Sequence, residues 1–173
     1  MPHVLGSDVA GVVESVGKEV SDLKPGAEVV ICPTLSCGTC EACLDGRHNH
    51  CRSFKILGEH VPGGYAELVT VPRVNIFPKP SKLSFDEAAC LPLVFLTAHH
   101  MLVRRAQLQA GETVLVLAAG SGVGSAAIQI ARQIGAKVIA TAGSDAKLER
   151  ARALGASEVI NHEKDDIAQA VKK

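Results

Sequence analysis

A glycine-rich turn between an apolar strand and an amphipathic helix constrains the fold of this 173-residue chain more than any other feature. The run 118–124, Ala-Ala-Gly-Ser-Gly-Val-Gly, follows the apolar segment 113–118, and apolar residues then recur at helical spacing from Ala127 to Ile134. Glycines let a backbone pass close to a pyrophosphate, and the following helix offers free N–H groups at its first turn. A tight turn without a ligand is the alternative. The predicted phosphate-binding residues are Gly120, Ser121, Gly122, Val123 and Gly124.

Strands and helices alternate along the second half of the chain. Apolar strands are expected at 113–118, 137–141 and 157–161, and the helices between them end at Gly135 and Gly155. This order predicts an α/β fold that contains the first half of a doubly wound parallel sheet. The first strand is almost wholly apolar, so we expect it to be covered on both faces.

Short strands dominate the pattern before residue 80. They are expected at 11–17, 28–31 and 65–71, with turn residues between them, which is typical of an all-β barrel or sandwich. Prolines in the segment 78–81 end this pattern and mark a boundary. The predicted domains are therefore residues 1–82 and 83–173. Ser84 is the candidate N-cap of the next helix, with Glu87 completing a capping box.

Four of the six cysteines lie close together in the lobe 37–51. No secretory signal is visible, so disulfides are the less favoured use of such a cluster. Zinc binds four thiolates at tetrahedral corners, and a complete shell leaves no open position for chemistry. Two disulfides or four free thiols are the alternatives. The predicted ligands of one structural zinc are Cys37, Cys40, Cys43 and Cys51, while Cys32 and Cys90 are expected to be ordinary buried cysteines.

The end of the second parallel strand bears on the choice of nucleotide. An acidic residue at this place usually accepts a hydrogen bond from the ribose 2′-hydroxyl of NAD. Here Gly143 occupies the place, with Ser144 and Lys147 close behind, and Asp145 falls in the first turn of the next helix. A hydroxyl and an ammonium group suit a 2′-phosphate, although Lys147 could equally be a solvated helix residue. The sequence therefore favours NADP(H) over NAD(H).

The charge balance excludes several classes of partner. Lys+Arg and Asp+Glu both number 18, so the formal net charge is zero, which argues against a nucleic acid or an anionic membrane surface. The first residues show no basic region followed by an apolar stretch, and no apolar run reaches membrane-spanning length. We therefore expect a cytoplasmic protein with no nucleic-acid or membrane partner.

Taken together, the residues resemble the medium-chain dehydrogenase/reductase superfamily along the whole chain. The segment 6–13 looks like the family's Gly-His-Glu segment, 24–29 like its Pro-Gly-Asp-x-Val turn, and the lobe 37–51 like its structural-zinc loop. Further matching residues are Gly63-Gly64-Tyr65-Ala66-Glu67, Ala88, Ala89, Pro92, Thr97 and Ala98. The resemblance implies a GroES-like catalytic-domain fragment followed by part of a Rossmann domain, with the active site in the cleft between them.

The chain departs from zinc alcohol dehydrogenases, which hold a second, catalytic zinc through two cysteines and a histidine. Ser7 stands where the histidine would fall and Leu93 where the later cysteine would fall, while the first cysteine would lie upstream of Met1. Serine is a poor zinc ligand and leucine is none, so we expect no catalytic zinc. Cys90, nearly one helical turn from Leu93, is an alternative ligand.

Without a Lewis acid, reducing an electron-poor double bond is easier than oxidising an alcohol, because the substrate's own carbonyl delocalises the charge. We therefore expect an NADP(H)-dependent oxidoreductase of quinones or activated double bonds. The resemblance places Thr97 beside the nicotinamide and has Ser7 and Asp8 line the cleft. It also implies a nicotinamide dinucleotide and a small carbonyl, enone, quinone or alcohol as partners, and a homo-oligomer for the full-length protein.

Two other functions stay open: a zinc-dependent alcohol dehydrogenase acting on small alcohols, and a truncated nucleotide-binding product without activity. The family's opening strands and the second half of its nucleotide sheet are missing from the chain, so we expect the chain alone to be catalytically incompetent. Its first parallel strand would also leave an open edge that exposes apolar residues around Val114 and Val116.

Overall fold

The computed structural model describes residues 3–172 and divides the chain into two compact units, Met1–Leu93 and Val94–Lys173. The first unit contains antiparallel strands and the second contains parallel strands. The change from short strands to alternating strands and helices, predicted from the sequence, is therefore confirmed.

Two small antiparallel sheets form the first unit. One has the strand order β1-β2-β5 and the other pairs β3 with β4. The strands are β1 (Val9–Val12), β2 (Glu28–Ile31), β3 (Thr34–Leu35), β4 (Lys55–Ile56) and β5 (Ile76–Pro78). The central strand β2 supplies the buried residues Val29, Val30 and Ile31, as expected of a strand that has a neighbour on each side.

Short helices complete the first unit. They are α1 (Glu41–Leu44), α2 (Phe85–Ala89) and two 3₁₀ turns, His48–His50 and Arg73–Asn75. Ser84 caps α2 in the predicted capping box, since its hydroxyl accepts from the Glu87 N–H while the Glu87 side chain accepts from the Ser84 N–H. Because α2 packs against β1 and β2, the compact unit continues past the predicted boundary at residue 82.

The predicted strand at 65–71 is wrong. The backbone N–H groups of Gly63, Gly64 and Tyr65 bond to the carbonyls of residues 4–6, but the segment beyond Tyr65 pairs with no strand among the described residues. Tyr65 and Leu68 are exposed there. An apolar, β-branched segment does not form a strand when no neighbouring strand satisfies its backbone groups.

The second unit is a three-stranded parallel sheet with helical crossovers. Its strands β6 (Thr113–Val116), β7 (Lys137–Ala142) and β8 (Glu158–Asn161) lie in sequence order. Its helices are α3 (Pro92–His99), which begins at the border of the units and continues as a π-helical turn, His100–Arg105, α4 (Gly122–Ile134), α5 (Asp145–Leu154) and α6 (Ile167–Ala170). Gly135 and Gly155 end α4 and α5 as predicted.

An apolar core packs α4 against one face of this sheet. Ala126, Ile128, Ala131, Val138 and Ala140 are wholly buried in it. Small residues dominate the contact, so helix and sheet approach closely.

The prediction that β6 is covered on both faces is wrong. Val116 is buried and Val114 is partly buried in the core, whereas Leu115 and Leu117 are 38% and 59% exposed. Alternate residues of a strand point to opposite faces, so one face of β6 is covered and the other is open among the described residues.

Among residues 3–172, no helix combines the length and the apolar character that crossing a membrane requires.

Candidate metal centre and nucleotide-binding turn

The four clustered cysteines come together in one loop. Cys40 precedes α1, Cys43 lies within it, and Cys51 follows the first 3₁₀ turn. Gly38 and Gly46 both have φ of 74°, a left-handed backbone that lets the loop double back without a strained side chain. All four Sγ atoms lie within 4.8 Å of one another, as the prediction of a metal site requires.

The spacing of the sulfur atoms fits a tetrahedral zinc ion. Cys43 Sγ lies 3.9 Å from Cys37 Sγ and 3.5 Å from Cys40 Sγ. Zn–S bonds of about 2.3 Å at tetrahedral angles place sulfur atoms about 3.8 Å apart. All six cysteines are free thiols, so the disulfide alternative is not what the structure shows.

Hydrogen bonds to sulfur prepare the loop for a cation. Backbone N–H groups of Thr39 and Cys40 lower the pKa of the Cys37 thiol to about 6, and the Cys40 N–H lies 3.3 Å from Cys37 Sγ. The backbone N–H groups of Cys37 and Ser53 donate to Cys51 Sγ. Burial raises the pKa of the Cys43 thiol to about 11, so a bound metal would have to displace a proton from that sulfur.

The two histidines of the loop lie at its surface. His48 and His50 are exposed, and the His48 Nδ1 atom lies 3.0 Å from the Ser36 hydroxyl. Cys90 is exposed as well, so its expected burial is wrong.

The glycine-rich turn joins β6 to α4 as predicted. Ser121 is the N-cap of α4, and its hydroxyl accepts from the Gly124 N–H at 3.0 Å. A Cβ atom on Gly124 would lie 2.4 Å from the Ala118 carbonyl oxygen, so only glycine allows the helix to start this close to the strand. A Cβ atom on Gly122 would lie 2.9 Å from a methyl group of Val94, and Val123 is half-buried.

Lys147 reaches the glycine-rich turn from α5. Its Cδ atom would lie 2.8 Å from a Cβ atom on Gly120, so the glycine leaves room for the aliphatic stem. Ala118 adopts a φ of 50°, an uncommon conformation for a residue with a side chain. A lysine side chain thus lies beside the turn at the start of a helix, a combination that suits an anionic ligand.

The end of β7 lacks the acidic residue that usually binds the ribose of NAD, as the sequence predicts. Gly143 is exposed, and Ser144 is the N-cap of α5 without a capping hydrogen bond from its side chain. Asp145 opens α5, and its two carboxylate oxygens accept from Asn161 Nδ2 at 2.7 Å and from Lys164 Nζ at 2.8 Å. The hydrogen bond from Lys164, and to a smaller extent the one from Asn161, lowers the pKa of the Asp145 carboxyl.

Two residues that the sequence reasoning missed lie at this place. A Cβ atom on Gly143 would lie 3.1 Å from His162 Nε2 and 3.6 Å from Glu163 Oε1. Both residues follow β8, and the carboxyl ends of neighbouring parallel strands meet at one edge of a sheet. This rule could have identified both residues from the sequence.

The predicted catalytic residues are spread over the chain. In the first unit the Ser7 hydroxyl donates to the Leu57 carbonyl at 2.7 Å. Asp8 remains solvent-accessible, but loss of surrounding water raises the pKa of its carboxyl. Thr97 is half-buried on α3.

Two family profiles match the chain. Residues 1–81 match the alcohol dehydrogenase GroES-like domain, and residues 122–173 match the zinc-binding dehydrogenase domain. The chain belongs to the medium-chain dehydrogenase/reductase superfamily. The predicted order of a GroES-like region followed by Rossmann-type parallel strands is thereby confirmed.

Proteins similar to this chain are named for several different enzyme activities. L-galactonate-5-dehydrogenase of Escherichia coli K12 is 39% identical over 86% of this chain and 42% of its own length. The human quinone oxidoreductase is 35% identical over all of this chain and 45% of its own. A solved NAD-dependent alcohol dehydrogenase is 56% identical with a TM-score of 0.96, over 99% of this chain and 50% of that one. The chain thus spans about half the length of its relatives.

Proposed function

We propose that this protein is an NADP(H)-dependent reductase of quinones or activated carbon–carbon double bonds that works without a catalytic zinc. The observation that carries the proposal is the hydrogen bond from the Ser7 hydroxyl to the Leu57 carbonyl. The hydroxyl at the position that resembles a zinc-binding histidine is thus committed to the backbone. Within residues 3–172, the four cysteines of the lobe are the only group of three or more potential metal-binding side chains that converge.

The proposed chemistry needs no Lewis acid on the substrate. Bound NADPH would supply a hydride to the β-carbon of the substrate. The conjugated carbonyl takes up the developing negative charge, and a proton from water or a side chain completes the reduction. In this proposal Ser7 and Asp8 line the substrate cleft and Thr97 lies beside the nicotinamide, as the family resemblance implies.

The proposed preference for NADP(H) rests on the end of β7. Gly143 brings no carboxylate, and the Asp145 carboxylate is held by Asn161 and Lys164. Lys147 offers a cation beside Gly120, and Ser144 offers a hydroxyl. The similar solved alcohol dehydrogenase is named as NAD-dependent, so cofactor choice has to be measured on this protein.

An alcohol dehydrogenase is the second candidate, because relatives with that name include the 56% identical solved structure. Steady-state assays decide between the two. In the full-length protein, NADPH with an enone or a quinone should give turnover, whereas NADP⁺ with a secondary alcohol should give little, and zinc content should be one ion per chain. Alcohol oxidation that requires a second zinc would reject the reductase. Cofactor binding without turnover on any of these substrates would favour the non-catalytic alternative.

A further inference from the structure

The place where a side chain of residue 143 would lie is bordered by two side chains from the next strand. A Cβ atom on Gly143 would stand within 3.1 Å of the His162 ring and 3.6 Å of a Glu163 carboxylate oxygen. His162 Nε2 itself lies 3.8 Å from Glu163 Oε1. The end of β7 therefore has a carboxylate beside it after all, although the carboxylate belongs to a residue that follows β8.

A hydrogen-bond network holds the turn that carries this carboxylate. The Glu163 N–H donates to Asn161 Oδ1, and the N–H groups of Lys164 and Asp165 donate to the Asn161 carbonyl. Asn161 is buried, and its amide donates to Asp145 at the start of α5. The His162 N–H donates to the Ala142 carbonyl of β7. The turn is thus tied to both elements that flank Gly143.

The other charged side chains in this region differ in how they could act on a bound anion. Asp145 and Lys164 form an ion pair at 2.8 Å and neutralise each other. Lys147 extends from α5 beside Gly120 of the glycine-rich turn, and Glu163, whose side chain is 72% exposed, lies beside Gly143. A negative group bound beside Gly143 would be attracted by Lys147 and repelled by Glu163.

We infer that Glu163 is a specificity-determining residue that supplies, from the turn after β8, the carboxylate that the end of β7 lacks. It accepts a hydrogen bond from a ribose 2′-hydroxyl and repels a 2′-phosphate, so it opposes Lys147 in the choice between NAD(H) and NADP(H). This inference rests on the proposed binding of a nicotinamide dinucleotide. It does not depend on which of the two dinucleotides the protein prefers.

Calorimetric titration of the protein with NADP⁺ and with NAD⁺ tests the inference. Glu163→Gln should raise the ratio of NADP⁺ to NAD⁺ affinity about threefold to tenfold at low salt, since the carboxylate is exposed and partly screened. Glu158→Gln is the matched control, because it removes the same charge at the opposite end of β8. Adenosine 2′,5′-bisphosphate and 5′-AMP serve as probes of the adenosine end alone, and their affinity ratio should move in the same direction.

An unchanged ratio in Glu163→Gln, or an equal change in Glu158→Gln, would overturn the inference while leaving nucleotide binding intact. Tighter binding of NAD⁺ than of NADP⁺ by the unaltered protein would reject the proposed preference, but the shift caused by Glu163→Gln would still support the inference. If neither dinucleotide binds, both the proposed function and the inference are overturned.

Discussion

The lobe 37–51 and the parallel sheet of the second unit are stabilised in opposite ways. Within the lobe only Cys43 and Cys51 are buried, so its fold depends on what the cysteines bind. In the sheet, Ile128, Val138 and Ala140 are wholly buried between strands and helix. A loop without an apolar core needs a metal, whereas a sheet with one needs close packing. Each region should therefore fail under a treatment that the other tolerates.

The largest effect is expected from removing one zinc ligand. Cys43→Ser should weaken zinc binding at least about 100-fold, because a closed four-sulfur shell loses a corner and a buried thiol. Competition with a chromophoric chelator measures the loss. Hydrogen exchange should rise in 37–51 and stay unchanged in 137–142.

Cys90→Ser is the matched control, since Cys90 is an exposed cysteine outside the cluster. It should keep zinc affinity within about twofold of the unaltered protein, as expected of a surface substitution. Equal zinc loss in both variants would show that the lobe is not the binding site.

A smaller effect is expected where the sheet meets α4. Gly124→Ala places a Cβ atom 2.4 Å from the Ala118 carbonyl oxygen, and backbone atoms cannot move aside cheaply. We expect a loss of about 2 kcal/mol in the free energy of unfolding, measured in urea, with zinc content unchanged. Gly17→Ala adds a Cβ atom in open space and should change stability by less than about 0.5 kcal/mol. Similar losses in the two variants would refute the packing argument.

Asn75 tests a third means of stabilisation, a buried polar contact in the first unit. Its side-chain amide donates to the carbonyls of Cys32 and Thr34 at 2.8 Å each, which joins the second 3₁₀ turn to the end of β2 and to β3. Asn75→Ala leaves two carbonyls without this donor and should lower the free energy of unfolding by about 1.5 kcal/mol. Denaturation with the zinc retained is the measurement. No loss would mean that water replaces the amide fully.

The smallest effect concerns Asp145 at the start of α5. Its pKa is lowered below the ordinary 3.8 by Lys164 and Asn161, so its contribution to stability is present above that pH and is lost as the pH falls further. The stability advantage of the unaltered protein over Asp145→Asn should therefore shrink between pH 5 and pH 3. Comparing the two proteins at each pH cancels any zinc released by acid. A constant difference would contradict the lowered pKa.

Features set by short stretches of chain could be predicted from the sequence. The strand 28–31, the capping box at Ser84, the turn 118–124 and the start of α5 at Asp145 all match the structure. Each depends on neighbouring residues, through alternation, capping or glycine spacing. The cysteine cluster belongs with them, because four sulfurs within one loop can meet only locally.

Features set by packing partners could not be predicted. The segment 65–71 is rich in apolar and β-branched residues, yet no described strand pairs with it beyond Tyr65. The compact unit ends at Leu93 because α2 returns to β1 and β2, which no local pattern reveals. Glu163 reaches Gly143 only because β7 and β8 are neighbours. In the last two cases the partner lies far along the chain.

The central claim is that the protein holds one structural zinc with a complete four-sulfur shell and no catalytic zinc. X-ray absorption at the zinc edge, combined with elemental analysis, tests this claim most directly. The account predicts one zinc per chain with four sulfur neighbours at about 2.3 Å and no nitrogen or oxygen ligand. Two zincs per chain, or a single zinc with a water, carboxylate or imidazole ligand, would contradict it.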